Sequence, residues 1–214
     1  IGNTTATDGA FDGLIDEVRV YNRALTADEI KRLYKIGSTF VVNKTRKDTL
    51  NEGLVGHWSF DGPDVLNQTD GGQIALDRSG NNNNGELTNG PKRAIGKIGQ
   101  ALDFDGSDDY VAASALSSLA NLGTVTVSAW INPKALVSGN TYTIFSKAYG
   151  NPVSMISGWN LNIESGSVNS NVVSFNAEFG GDDMLAYTAN NTISLNQWQH
   201  VAATWNGSTA ASSL

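Results

Sequence analysis

The strongest constraint on this chain is a repeated alternation of apolar and polar residues in short runs, each closed by turn residues. Leu54, Gly56, Trp58 and Phe60 alternate with Val55, His57 and Ser59. Leu102 and Phe104 alternate with Asp103 and Asp105 before Gly106 turns the chain. A period of two is that of a β-strand with one face buried. Residues 12–22, 125–131, 142–147, 159–164, 172–179, 184–188 and 198–205 read as further strands, and Phe40–Val42 as a brief one. Residues 61–96 are turn-rich, with Gly-Gly at 71–72 and four Asn at 81–84. Many short strands between turn signals predict an all-β, two-sheet antiparallel sandwich.

One segment departs from that period. Thr26-Ala-Asp-Glu29 fits a capping box, in which hydroxyl and carboxylate satisfy the first free N–H groups of a helix. Ile30, Leu33 and Tyr34 then fall on one stripe, and Gly37 is a stop signal.

Composition narrows the partners. Charged residues are 16% of the chain and apolar residues 40%, enough for a packed core, and the net charge is −7. That charge repels phosphate backbones and anionic lipid, which argues against nucleic-acid partners, and no apolar run is long enough for membrane insertion. There is no Cys, so disulfides and thiolate metal sites are excluded.

The blocks GLVGHWSFDG, ALDRSGNNNNG, ALDFDGSDDYV, TVSAWINP and QWQHVAATWNGS, with FDGLIDEVRVYNRALTADEIKRLY, resemble the laminin-G-like, concanavalin A-like jelly-roll family. The order is permuted, because the family's closing block comes first. The resemblance implies residues 1–37 as the strand-helix end of one module, 38–52 as a linker, and 53–214 as the opening part of a second module. In that family the first and last strands lie close together. Residues 1–37 can therefore complete 53–214 as a pseudo-permuted domain.

The resemblance also implies an extracellular or cell-surface location. It implies polysaccharide or glycoprotein glycan, and neighbouring modules of the same polypeptide, as partners. It further implies a structural Ca²⁺ ion, a role carried onto Asp16, Asp61, Asp77 and Asn82, with Asn84 a weaker ligand. A hard cation of this kind takes six to eight oxygens. The other reading is that Asp77, Ser79 and Asn81 only make Asx-turns. The run Asp103, Asp105, Asp108 and Asp109 reads as the outward face of a strand followed by a glycine turn, since an EF-hand loop would need flanking helices and a Glu at its twelfth position.

Family usage makes Trp58, Trp130 and Trp198 core residues. Trp159 and Tyr149, beside less stereotyped turns, are the candidates for a ligand-binding surface. His57 and His200 are too far apart in sequence for a zinc triad. Catalytic members of the fold carry two carboxylates at E-x-D-x-E or E-x-D-x-x-E spacing. That spacing is missing here. Glu164 is alone, and Glu178 is separated from Asp182 and Asp183 by Gly-Gly. The expectation is a non-catalytic binding or adhesion module. The alternatives are a carbohydrate-binding module appended to a secreted hydrolase, or a stalk repeat.

Overall fold

The computed structural model describes residues 1–3, 9–36, 49–113, 123–151, 154–166, 170–179 and 182–207. The expected strand at Phe40–Val42 and most of the expected linker lie outside them. The side chain of Tyr149 does too, although its backbone belongs to a strand.

Strand β1 (Asp12–Tyr21) leads into helix α1 (Ala27–Ile36). Next come β2 (Leu54–Trp58), β3 (Val65–Asn67), β4 (Gln73–Ala75), β5 (Gly85–Thr88), β6 (Lys92–Ile95), β7 (Gln100–Asp105) and β8 (Tyr110–Ala112). The larger strands follow: β9 (Val125–Pro133), β10 (Asn140–Asn151), β11 (Ser154–Ser165), β12 (Val172–Phe179), β13 (Asp182–Tyr187) and β14 (Gln199–Trp205). Antiparallel pairing throughout gives the all-β sandwich that the alternation predicts.

Strand β1 is the spine of one sheet. Its first half pairs with β7 and its second half with β2, so those two strands lie end to end along one edge of it. Its other edge pairs with β9, which in turn pairs with β14. The second layer holds β10-β11-β12-β13 and the smaller sheet β3-β4-β5-β8. Ile1 and Gly2 bridge these two: Val111 N–H donates to the Ile1 carbonyl at 2.9 Å, and Gly2 N–H to the Ile144 carbonyl at 3.1 Å.

Side chains of alternating parity from both layers merge into one core. Val125, Val127, Ala129 and Ile131 of β9 and Val201, Ala203 and Trp205 of β14 belong to it, with Trp159, Leu161 and Ile163 of β11 and Phe175 of β12. A plain alternation along β1 would group Val18 and Val20 with Leu14. The structure groups them with Ile15. The cause is a bulge: three steps from Asp16 to Arg19 oppose two from Trp130 to Ser128, and Glu17 sits at φ +51°. One extra residue switches the face of everything after it.

Helix α1 covers the outer face of this sheet. The capping box forms as predicted, with Thr26 N–H donating to Glu29 Oε2 at 3.0 Å and Glu29 N–H to Thr26 Oγ1 at 3.3 Å. Arg23 clamps Glu29 through two bonds of 2.9 and 2.8 Å. Leu33 packs with Tyr21, Leu25 and Leu50 in a second apolar cluster. Leu50 falls in a 3₁₀ turn at Thr49–Asn51, at the end of the expected linker.

Candidate functional site

The three carboxylates expected to share a calcium ion are each used locally. Asp77 Oδ1 accepts the N–H of His57 at 2.9 Å and of Ser79 at 2.8 Å. Its Oδ2 accepts the Ser79 hydroxyl at 2.7 Å and the Asn83 N–H at 2.9 Å. Four donors fill the carboxylate, and the role is structural: it ties the Asn-rich loop to β2. Asn83 completes the tie, donating to the Val55 carbonyl and accepting the Trp58 indole N–H at 2.9 Å. Asn82 is exposed at φ +58°, and Asn84 accepts the Asp77 N–H at 2.9 Å.

Asp16 and Asp61 both bind the turn between β6 and β7. Asp16 is wholly buried, and its Oδ2 accepts the Ile98 N–H at 2.9 Å. Burial pushes its carboxyl up to about 7, against the pull of that N–H. Asp61 Oδ1 accepts the Gln100 N–H at 2.8 Å. Among the described residues, the one group of three acidic side chains close enough to share an ion is Asp105, Asp108 and Asp109. The expected convergence of Asp16, Asp61 and Asp77 is therefore corrected, because among the described residues these three carboxylates do not come close enough together to share an ion, although Asp16 Oδ1 is buried without a donor among them.

The Asp105–Asp109 turn joins β7 of one layer to β8 of the other. Asp109 is buried, and its Oδ2 accepts the Asp105 N–H at 3.0 Å. Asp105 Oδ1 accepts the Ser107 N–H at 2.8 Å. Burial raises the Asp109 carboxyl, and the charges of Asp105 and Asp108 add to the rise.

Trp159 is a further correction. It is 1% exposed and stacks on Phe145, with ring centroids 5.0 Å apart and planes at 15°. A ring enclosed in the core has no face for a sugar. Its position on β11 brings it inward beside Leu161 and Ile163, which the nearby turns obscured. Trp58 is likewise in the core, as family usage implied. Trp130 is buried on the other side of the sheet, beneath Tyr34 of α1, with ring centroids 5.4 Å apart.

Tyr34 and Trp198 are two aromatic residues that share one open surface. They line a groove of about 450 Å³ beside β14, with Val173, Thr188, Thr192 and Ile193 among its walls. Tyr34 is 52% exposed and Trp198 is half-buried. Among the described residues, no Asp or Glu lines the groove. His200 also lines it, edge-on to both Tyr34 and Trp130. Burial, aided by Arg19, holds the His200 imidazole down at about 4, so it is neutral at physiological pH. Sequence reading missed Tyr34 by placing it on the buried stripe of α1. It missed Trp198 because the residue sits just before β14, outside the alternation that orders Val201, Ala203 and Trp205.

A laminin-G-type family model, described as the concanavalin A-like lectin/glucanases superfamily, matches residues 1–31 and 105–213, well over half of the chain. The chain belongs to this superfamily. No curated protein and no solved structure gives a match. The concanavalin A-like lectin/glucanase superfamily holds both enzymes and non-catalytic binders. In this member the matched residues take in the acidic turn and most of the groove. Asp61, Asp77, the Asn loop and Tyr34 fall outside them.

Proposed function

We propose that this chain is a non-catalytic glycan-binding module of an extracellular or cell-surface protein, working beside neighbouring modules of the same polypeptide. The observation that carries this reading is the groove between α1 and β14. A sugar needs a flat apolar surface for its C–H face and a few polar groups to orient its hydroxyls. Tyr34 and Trp198 supply the surface, and Thr188 and Thr192 supply hydroxyls at the wall. Glycoside hydrolysis by the usual route needs two carboxylates flanking the bond, and a lining whose described residues include no Asp or Glu favours binding over cleavage. A structural Ca²⁺ ion is part of the reading.

A glycan array, followed by calorimetry on the best hit, tests it. Tyr34→Ala and Trp198→Ala should each weaken binding at least tenfold and leave the melting temperature within a few degrees of wild type. Selective binding that survives both substitutions would move the site elsewhere. Hydrolysis of the bound glycan would overturn the non-catalytic assignment. Absence of any glycan ligand would favour a stalk repeat.

A further inference from the structure

The described residues contain one trio of acidic side chains with mutually close oxygens. Asp105, Asp108 and Asp109 each place a carboxylate oxygen within 4.8 Å of the others. Three like charges at that spacing repel strongly unless something positive or a proton stands among them. The nearby lysines do not fill that role. Lys134 is bound to both oxygens of Asp103, at 2.6 and 2.7 Å. Lys92 reaches Asp109 only through space. Asp12, which pairs with Asp105 across the β1–β7 ladder, adds another negative charge.

A second observation points to what is missing. Asp109 is 3% exposed, and its Oδ1 has no hydrogen-bond donor among the described residues. Buried carboxylate oxygens are nearly always paired, and an exception calls for an ion or a water. The other atoms of the turn are already fixed around this spot. Asp109 Oδ2 accepts the Asp105 N–H, Ser107 N–H holds Asp105 Oδ1, and Asn89 Nδ2 donates to the Asp108 carbonyl at 3.0 Å. The turn is ordered, with one buried acceptor left open and two exposed carboxylates, Asp105 and Asp108, beside it.

We propose that Asp105, Asp108 and Asp109 form a Ca²⁺ site. Asp109 Oδ1, the free oxygen of Asp105 and the carboxylate of Asp108 can supply up to four ligand oxygens, and water completes the shell of such an ion. Mg²⁺ suits the site less, because it demands a regular octahedron and gives up its own waters reluctantly. The site uses none of the residues that the family resemblance assigns to calcium. Its ion joins β7 to β8, and so one layer of the sandwich to the other. This assignment rests on the calcium part of the proposed function and is independent of the glycan groove.

The test is calorimetric titration of Ca²⁺ into the metal-free chain, alongside Asp109→Asn, Asp108→Asn and Asp61→Asn. Terbium luminescence, sensitised by the adjacent Tyr110, is a second readout. Wild type and Asp61→Asn should bind one ion and melt at a higher temperature with Ca²⁺ than with chelator. Asp109→Asn and Asp108→Asn should bind at least tenfold more weakly, with the melting temperature in chelator unchanged or raised. Asp108 is exposed, so its substitution keeps the test clear of folding defects. Unaltered Ca²⁺ binding in both of these variants would overturn the site and leave the calcium reading standing. No heat, no terbium signal and no thermal shift in wild type would overturn both.

Discussion

Asp16 and Asp61 hold the two ends of one turn. Asp16 Oδ2 accepts the Ile98 N–H at 2.9 Å, and Asp61 Oδ1 accepts the Gln100 N–H at 2.8 Å. Gly96 and Gly99 close the turn between them through a 3.1 Å backbone bond. The residues come from the first and second sequence blocks, so the turn is a point where the two blocks depend on each other.

Gly99 makes that dependence measurable. It sits at φ +57°, and a Cβ there would lie 2.0 Å from Asp61 Oδ1. Gly99→Ala should destabilise the fold by about 2 kcal/mol or more, since it adds a steric clash to a left-handed backbone. Asp61→Ala should cost about 1–2 kcal/mol for its charge-assisted bond. The double substitution should cost less than the sum, because removing the carboxylate makes room for the methyl. Urea denaturation of the four proteins measures this. Strict additivity would mean that the clash is relieved elsewhere.

Asp77 carries four hydrogen bonds that tie the Asn-rich loop to β2. Asp77→Ala should cost about 2–4 kcal/mol, by the loss of those bonds and the exposure of a loop that covers Trp58. The same loss should appear with Ca²⁺ present or chelated. A penalty seen only when calcium is present would return Asp77 to a metal role. Tryptophan emission should shift to the red as Trp58 loses the Asn83 carbonyl on its indole nitrogen.

The alternation of the long strands was legible because one face of each enters the shared apolar core: Val125 to Ile131, Trp159 to Ile163 and Val201 to Trp205 all obey it. The capping box was legible for the same local reason. Strands β3 to β6 were not. They are three or four residues long, too short to show a period, and lie in the stretch that reads as turns. The bulge at Glu17 was invisible because it depends on what β9 offers across the ladder. Site residues fared worse than strands. The acids Asp16, Asp61 and Asp77 anchor turns and loops, but their partners are mostly backbone N–H groups, which no sequence motif distinguishes from a metal. Burial of Asp109, in a run that otherwise reads as an exposed acidic face, is set by packing from elsewhere.

Trp159 separates core from ligand site. Its indole nitrogen is buried without an acceptor among the described residues. Trp159→Phe removes that unsatisfied donor while keeping an aromatic ring against Phe145. The change should be within about 1 kcal/mol of neutral, well short of the cost of truncating a buried aromatic to Ala. Glycan affinity should not move. A tenfold loss of affinity, in a variant that melts like wild type, would restore Trp159 as a contact residue.

Acid titration should expose two opposed groups. Asp16 is raised to about 7 in the folded chain from an ordinary value of 3.8. Between those values the folded state holds a proton that the unfolded state has released. Asp16 therefore lowers stability as pH rises from about 4 to 7. His200 is lowered to about 4 from 6.5, so the unfolded state binds the proton first, and its contribution falls as pH drops through that window. The two slopes oppose one another. Asp16→Asn should leave the His200 slope uncompensated, with stability gained relative to wild type at pH 7 and little changed at pH 4. His200→Gln should do the reverse, with its gain relative to wild type confined to the acid end. Each difference should change by about 1 kcal/mol per pH unit across the window, close to the limit for one proton. Chemical denaturation at half-unit steps from pH 4 to 8 reads both. If the Asp16→Asn difference were flat, Asp16 would already be ionised in the folded chain, paired with a partner beyond Ile98.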